Sequence, residues 1–531
     1  MSRAATGMGT VTALARVLGF VRILVVAAVL GTTYLGNAFG AANSVSNVLF
    51  ELLAAGALSA VLVPTFVGLL DADDQDGAER VAGGVLGAAL AGLGAVAVLG
   101  IALAPLLARL LTAGVPTAVA ADQRVLVTEL LRFFVPQVLL YAAGTVAIAA
   151  LHARRRFVAA AAAPIGNTVV TVAALVAFRA VAGPEPGLDL GVGERVLLIV
   201  AGTGGVLAFV GVLLVACRAS GFALRPRWPG RDPRVAAVLR HSGWGVVLHT
   251  GAGLLLGAAV VAGSAVEGGV VAYQVAWVFF LAPYGILAQP IHTTILPELV
   301  AEATDPTRFT ASLRWSVERM ALLVLPVSGA LVVLAGPGMR AVSFGATSGS
   351  GPELLAAALA GLAVGLFPYG AFLLLARACY ARGDSRTPGG VSLVAALAGT
   401  AVLGGAALLA DGTARGGVLG LGHSVAYGLG AVVLARHLHG SVGSTVWTPV
   451  LGRVAVVAAV VAGLGWAWPR LVEVGAGRGP DLLVVAVTTL AGTGLVALGY
   501  RLAGVGPALT ARHGPPGAEE TGGPAVTGAL R

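Results

Sequence analysis

The sequence predicts an all-α polytopic membrane protein with about fourteen transmembrane helices. Of its 531 residues, 57% are hydrophobic and only 11% are charged, whereas about 25% of the residues in a soluble domain are charged. Apolar runs near or above the roughly 20 residues needed to span a bilayer follow one another along the chain. Their length and the lack of alternating polar positions indicate helices rather than barrel strands.

The predicted spans form two lobes and a C-terminal pair. In chain order they cover 9–31, 38–70, 81–112, 124–151, 157–179, 195–217, 235–262, 269–296, 314–336, 353–378, 389–410, 416–436, 449–469 and 481–503. We expect an N-lobe over 1–220, a C-lobe over 221–440 and the last two spans within 441–505. The stretch 506–531 is rich in Pro, Gly and Ala, so we expect a disordered tail.

Short sequence similarities indicate that the six-helix lobes are related by a parallel repeat. The segment AAGALSAVLVPTF resembles LAQPIHTTILPEL, which lies six spans later. The segment ALHARRRF resembles CYARGDSR at a similar spacing. Both later copies keep the orientation of the earlier ones. Because related halves of a transporter often hold the substrate at their interface, we expect a site between the lobes.

The arginines set the predicted orientation. They concentrate in three short loops, HARRRF, RASGFALRPRWPGRDPR and RACYARGDSRTP, which lie on one side of the membrane. Loops rich in basic residues face the cytoplasm, so both termini are predicted to be cytoplasmic. The net charge of +9 lies largely in these loops, and we therefore expect no nucleic-acid partner.

Other functional classes lack their sequence signals. No loop is long enough for an extramembrane domain, and no cluster of acidic and histidine residues lies at one membrane face. We therefore predict that the protein is not an enzyme and has no cofactor or metal site. Cys217 and Cys379 lie near span ends on the side assigned to the cytoplasm, so no structural disulfide is expected.

The first span contains two arginines, in the segment RVLGFVR at 16–22. A charge at mid-bilayer costs at least about 2.5–3.5 kcal/mol, so it requires a cavity, a partner or a shallow depth. Arg22 lies deeper and is the better cavity candidate, whereas Arg16 is expected near the cytoplasmic mouth. Glu51 in span two is a candidate partner for either arginine.

Five motifs in order resemble a known family. They are RVLGFVR at 16–22, SNVLFELLAAGALSAVLVPTF at 46–66, APIGN at 163–167, TTILPEL at 293–299 and YARGDSRTP at 380–388. Together they resemble the MurJ (MviN) lipid II flippases of the multidrug/oligosaccharidyl-lipid/polysaccharide exporter superfamily. The resemblance covers nearly the whole chain.

The resemblance implies a function and a set of partners. Members of that family move undecaprenyl-diphosphate-linked peptidoglycan precursor from the cytoplasmic to the outer leaflet by alternating access. Their lobes enclose a cationic cavity, and the last two helices form a groove for the lipid tail. The expected partners are a lipid-linked glycan diphosphate, membrane lipids and cell-wall synthesis proteins.

The resemblance carries over Arg16 and Arg22, and the other candidate residues are named from their own position and chemistry. The predicted cavity residues are Arg16, Arg22, Asn47 and Glu51. The predicted gating or loop residues are Arg382, Asp384 and Arg386. Within this loop, Asp384 is expected to bond Arg382 or Arg386. In span four, the i, i+3 spacing predicts that Glu129 pairs with Arg132.

The chain departs from the family pattern in several positions. Ile23 and Asn37 replace acidic residues that the family usually has, and Glu51 stands where it typically has an arginine. Val278 stands where a cavity arginine is expected. We therefore expect a divergent member with a less cationic cavity. Two alternatives stay open: a flippase for another polyprenyl-linked glycan or a drug/cation antiporter, and a transport-inactive scaffold in envelope assembly.

Overall fold

The computed structural model describes residues 3–54, 57–228, 234–235, 243–347, 350–410, 412–443, 445–472, 474–475 and 477–505. Throughout these ranges the regular elements are helical and no strand occurs, which confirms the all-α prediction. The expected tail, 506–531, lies outside the described residues.

Twenty α-helices follow one another in the described chain. The first ten are α1 (Arg3–Leu30), α2 (Tyr34–Ala54), α3 (Ala57–Asp71), α4 (Gln75–Ala102), α5 (Ala104–Leu111), α6 (Thr117–Phe134), α7 (Gln137–Ala153), α8 (Phe157–Ala182), α9 (Val192–Ile199) and α10 (Gly205–Ala219). The next ten are α11 (Gly243–Ser264), α12 (Gly269–Pro283), α13 (Gln289–Ala301), α14 (Pro306–Val342), α15 (Gly351–Ala363), α16 (Leu366–Ala381), α17 (Arg386–Leu409), α18 (Gly412–Val442), α19 (Pro449–Leu471) and α20 (Arg478–Leu502). Short π-helical segments at Val200–Gly204 and Tyr284–Ala288 join α9 to α10 and α12 to α13.

The described residues contain twelve helical segments that are long and apolar enough to cross a membrane. The number rises to thirteen if α15 and α16, which meet at a bend of 43°, form one span. The prediction of a multi-pass membrane protein is confirmed, but the count of fourteen is not. The predicted span 38–70 corresponds to two helices, α2 and α3, whose junction lies outside the described residues. A continuous apolar run does not reveal such a division.

Several spans extend beyond the apolar runs that predicted them. Helices α6 and α7 continue as one segment of 37 residues over Thr117–Ala153. At about 1.5 Å per residue this segment is roughly 55 Å long, which exceeds the roughly 30 Å hydrocarbon core. One end of the segment therefore projects beyond the hydrocarbon region.

Two groups of helices form the lobes. Helices α1–α10 form the N-lobe, whose buried aromatic side chains include Phe39, Phe134 and Phe178. Helices α11–α18 form the C-lobe, where Phe280 and Phe309 are buried. The last two helices, α19 and α20, pack against α14 at the outside of the C-lobe. The division into lobes over 1–220 and 221–440 stays a prediction.

Two amide side chains connect the lobes near the turn between α1 and α2. Asn37 on α2 is fully buried; its Nδ2 donates to the carbonyl of Val266 at 2.7 Å, and its Oδ1 accepts from the backbone N–H of Val270 at 2.9 Å. Gln274 on α12 donates to Gly40 O and Ser44 Oγ, both at 2.9 Å. We call Asn37 and Gln274 the amide bridge. It holds the lobes together at this end of the bundle.

Candidate substrate cavity and lipid groove

Helix α1 lies between the two lobes and carries both predicted arginines. Its Phe20 packs edge-to-face against Phe279 on α12, with ring centroids 4.9 Å apart. The guanidinium group of Arg16 lies beside Gly285, which also belongs to the C-lobe. Arg16 is exposed and Arg22 is partly buried. Neither arginine forms an ion pair or hydrogen bond with any described residue, so both charges are available to a ligand.

Arg22 faces a wall formed by α7 and α2. Its guanidinium is within electrostatic range of the Tyr141 hydroxyl group. The ring of Tyr141 packs against Phe50 of α2, with centroids 4.5 Å apart. A phenol competes only weakly for the donors of a guanidinium. Such a site suits an anionic group that brings its own oxygen atoms.

Glu51 and Asn47 lie one turn apart on α2, and both side chains are exposed. The expected pairing of Glu51 with Arg16 or Arg22 is wrong: no ion pair joins these side chains in the structure. Glu51 instead lies within electrostatic range of tyrosine hydroxyl groups on three C-lobe helices, those of Tyr273, Tyr369 and Tyr427. The Glu51 carboxylate therefore lies near tyrosines of the C-lobe, whereas the Arg22 guanidinium lies near Tyr141 of the N-lobe.

An aromatic cluster in the C-lobe was not predicted from the sequence. We define it as Tyr273, Trp277, Phe280, Tyr284, Tyr369, His423 and Tyr427. Tyr273 Oη and His423 Nε2 lie 2.9 Å apart, and both side chains are buried. The Tyr369 and Tyr427 rings lie 4.8 Å apart in an edge-to-face arrangement. The cluster holds four of the eight tyrosines of the chain.

A sequence signal for this cluster does exist. The first four members recur at intervals of three or four residues on α12 and the π-helical segment after it, which places them on one face of the chain. Their partners on α16 and α18 are more than 80 residues away. No local pattern connects them.

A groove of about 580 Å³ lies between α14, α19 and α20. Its lining is almost wholly apolar and includes Leu323, Pro326, Val461, Trp468, Val487 and Leu495. The polar exceptions are mostly satisfied within the wall: Trp468 Nε1 donates to Thr488 Oγ1 at 2.8 Å. Many side chains of α19 and α20 are exposed and apolar, as expected for helices that face lipid. The groove therefore fits a hydrocarbon chain.

The predicted loop residues join elements of the C-lobe to one another. Arg382 donates to the carbonyl of Ala303, at 3.0 Å, and lies over the ring of Phe309. Asp384 accepts from the N–H of Thr387 at 3.0 Å and pairs with His437 of α18 at 2.9 Å. Of the two expected partners of Asp384, Arg382 is wrong, because its side chain extends to Ala303, after α13. Arg386 is the first residue of α17.

One described group of side chains that resembles a metal site lies where α16, this loop and α18 meet. Cys379, Asp384 and His437 have ligand atoms within 4.8 Å of one another. The close contact in this group is the 2.9 Å contact between Asp384 Oδ2 and His437 Nε2. Cys379 is buried and has a free thiol.

These features describe a multi-pass helical membrane protein with two arginines on α1, a helix that contacts both groups of helices, and a lateral apolar groove at α14, α19 and α20. The family model described as "Lipid II flippase MurJ" matches residues 26–476. The chain belongs to this family, as its motifs predicted.

Individual relatives agree with the family assignment. A probable lipid II flippase MurJ of Rhizobium tropici is 28% identical over 490 residues, covering 90% of this chain and 88% of the relative. A probable lipid II flippase MurJ of Vibrio cholerae is 26% identical over 402 residues, covering 72% and 73% of the two chains.

Solved structures show the same fold. A lipid II flippase MurJ in an inward closed conformation superposes with a TM-score of 0.73 at 16% identity, covering 93% of this chain and 98% of that one. A multidrug resistance MATE family transporter in an inward-facing conformation gives a TM-score of 0.64 at 14% identity, covering 83% and 98%. The fold is thus shared with a lipid II flippase and with a multidrug resistance transporter.

Proposed function

We propose that this protein flips lipid II, an undecaprenyl-diphosphate-linked peptidoglycan precursor, across the bacterial cytoplasmic membrane by alternating access. One observation carries the proposal: Arg22 lies on α1, a helix that contacts both lobes, and has no ion-pair or hydrogen-bond partner among the described residues, and the protein also has an apolar groove along α14, α19 and α20. An amphiphile with an anionic head and a long hydrocarbon tail requires both features. A small hydrophilic substrate requires only the arginine and not the groove.

The two features match the chemistry of the substrate. A diphosphate loses its hydration when it enters a cavity, so it requires fixed positive charge in compensation. Arginine offers a planar donor fork that stays protonated. In the proposal, Arg22 binds the diphosphate and Arg16 attracts it at the cavity mouth. Asn47 and Glu51 offer hydrogen bonds to the glycan and peptide groups.

The proposal includes an orientation. The loops that hold Arg154–Arg156 and Arg382–Arg386 face the cytoplasm, because loops rich in basic residues stay on that side. Both termini are then cytoplasmic. The N-lobe over 1–220 and the C-lobe over 221–440 rock about the site, while the helices within 441–505 hold the tail. Cell-wall synthesis proteins that make and use the lipid are the expected partners.

Complementation tests the proposal directly. A bacterium depleted of its own lipid II flippase should regain growth when it expresses this chain, and Arg22→Ala should abolish that rescue. Arg501→Gln serves as the matched control, since Arg501 is an exposed arginine at the end of α20, away from the cavity. If the inserted wild-type protein fails to rescue, the lipid II assignment is wrong. If Arg22→Ala rescues fully, Arg22 does not bind the substrate.

A second candidate is a cation-coupled drug exporter. The specific observation is Glu51, an acidic side chain without an ion-pair partner in the described structure that faces the aromatic cluster. Aromatic rings favour organic cations, and the fold is shared with a MATE family transporter. Dye efflux driven by a proton or sodium gradient, and lost in Glu51→Gln, would support this candidate over lipid flipping.

A further inference from the structure

Three arginines line one pocket at the end of the N-lobe that is opposite to Arg154–Arg156. Arg109 lies on α5, and Arg124 and Arg132 lie on α6. The pocket has a volume of about 740 Å³ and is open to the surroundings. We call it the arginine pocket. It is separate from the interlobe site and from the groove at α19 and α20.

The charge of the arginine pocket is uncompensated. Glu129 is the one acidic residue that lines it, and this carboxylate pairs with Arg195 at 3.2 Å. The predicted pairing of Glu129 with Arg132 is therefore wrong. Arg124 Nε donates to Thr112 Oγ1, at 3.2 Å. Neither Arg109 nor Arg132 has an ion pair or hydrogen bond with a residue in the described ranges, so their guanidinium groups are free to bind an anion.

The depth of the pocket follows from helix geometry. Arg132 precedes Ala153, the last residue of α7, by 21 positions (153 minus 132) in one continuous segment. At about 1.5 Å per residue this separation is roughly 32 Å, close to the roughly 30 Å hydrocarbon core. If Ala153 lies at the headgroup level of one leaflet, Arg132 therefore lies at the headgroup level of the opposite leaflet. Arg124 lies farther out on the same helix.

The inner rim of the pocket faces hydrocarbon. Phe133 lines the pocket next to Arg132 on the side of the bilayer centre and is 48% exposed, and Leu106 on the adjoining helix α5 is 60% exposed. Apolar side chains at this exposure, on helices of a membrane protein, contact lipid chains. A ligand in the pocket therefore meets cationic groups at headgroup level and apolar groups beside them. Three arginines on this side also run against the usual bias toward basic residues in the cytoplasm.

We propose that the arginine pocket binds the phosphate of an anionic lipid headgroup in the leaflet opposite to Arg154–Arg156. Arg109 and Arg132 hold the phosphate oxygens, and the acyl chains lie along the apolar rim. With the orientation proposed above, this leaflet is the outer one. Basic pockets between membrane helices bind anionic headgroups in this way. The lipid ties α5 to α6 and anchors the N-lobe in the membrane.

Lipid titration of the purified full-length protein tests the proposal. Short-chain phosphatidylglycerol should bind more tightly than phosphatidylcholine, and the double variant Arg109→Gln/Arg132→Gln should weaken phosphatidylglycerol binding about tenfold or more. Arg179→Gln is the matched control, because Arg179 lies at the end of α8 and is bonded to Gly183 outside the pocket. Equal binding of the two lipids, or an unchanged double variant, would overturn the proposal.

Two further arms make the test decisive. Glu129→Gln removes the carboxylate that lines the pocket, so this variant should bind phosphatidylglycerol more tightly than the wild type. A gain in affinity cannot result from misfolding. Weaker binding would overturn the proposal. Inorganic phosphate is the second probe. If it displaces the lipid at comparable concentration, the site binds free phosphate and not a lipid. Growth rescue is scored separately, so failure of the pocket leaves the lipid II proposal standing.

Discussion

Arg340 near the end of α14 donates to both carboxylate oxygens of Asp481, in the first turn of α20. Its Nε lies 3.1 Å from each oxygen, and its Nη2 lies 2.5 Å from Oδ1. The Asp481 side chain is 7% exposed, and that of Arg340 is 51% exposed. This pair fastens α20 to α14 beside the apolar groove, and a carboxylate in the first turn also complements the helix dipole.

Replacement of Asp481 should loosen the groove. We expect Asp481→Asn to lower the free energy of unfolding by about 1–2 kcal/mol, since Arg340 is half exposed and water compensates part of the loss. Denaturation of the purified protein in detergent measures the change. Asp122→Asn is the control, because Asp122 is an exposed aspartate on α6. An equal effect in both variants would contradict the anchoring role.

The amide bridge should stabilise the contact between the lobes near the turn between α1 and α2. Asn37→Ala leaves the Val266 carbonyl and the Val270 N–H without their partner, which costs about 1–3 kcal/mol. The arrangement in which the bridge joins the lobes should become less populated, and hydrogen exchange should accelerate at the start of α12. Asn167→Ala is the control, since the hydrogen bond that Asn167 accepts among the described residues comes from Thr171 on its own helix. If hydrogen exchange in Asn37→Ala equals that of the wild type, the amide bridge does not hold the lobes together.

The contact between Asp384 and His437 should respond to acid. Burial opposes ionisation of Asp384, but hydrogen bonds from Thr387 and the pairing with His437 outweigh it and hold the pKa of the carboxyl below its usual value. Because the pKa is lower in the folded state, the carboxylate stabilises the protein at pH values above the usual pKa of aspartate. This stability is lost as pH falls through the folded-state pKa.

Asp384→Asn should therefore destabilise the protein at neutral pH by about 1 kcal/mol and lose less stability than the wild type as pH falls below about 4. Thermal unfolding of both proteins across this range measures the difference. Asp122→Asn should keep the wild-type slope. If Asp384→Asn has the same acid slope as the wild type, the ion pair makes no contribution.

The sequence predicts local features of this protein well and long-range pairings poorly. The spans follow from apolar length, and the motif RVLGFVR at 16–22 places two arginines on α1 correctly. The pairing of Glu129 with Arg132 was wrong because i, i+3 spacing is only one of several contacts open to a carboxylate; Arg195, on α9, lies closer. The aromatic cluster was missed because α12, α16 and α18 meet only after folding.

Substitution of Glu51 separates the two candidate functions. Glu51 opposes a diphosphate in the cavity, because both groups are anionic and Glu51 has no ion pair with Arg22. For a lipid II flippase, Glu51→Gln should keep or increase flipping, measured by accessibility of the precursor on the outer surface. Asn43→Ala, about two turns away on α2, controls for changes in the helix itself. Loss of flipping in Glu51→Gln with normal activity in Asn43→Ala would show that transport requires a titratable carboxylate, as a cation-coupled exporter does, and would contradict the lipid II proposal.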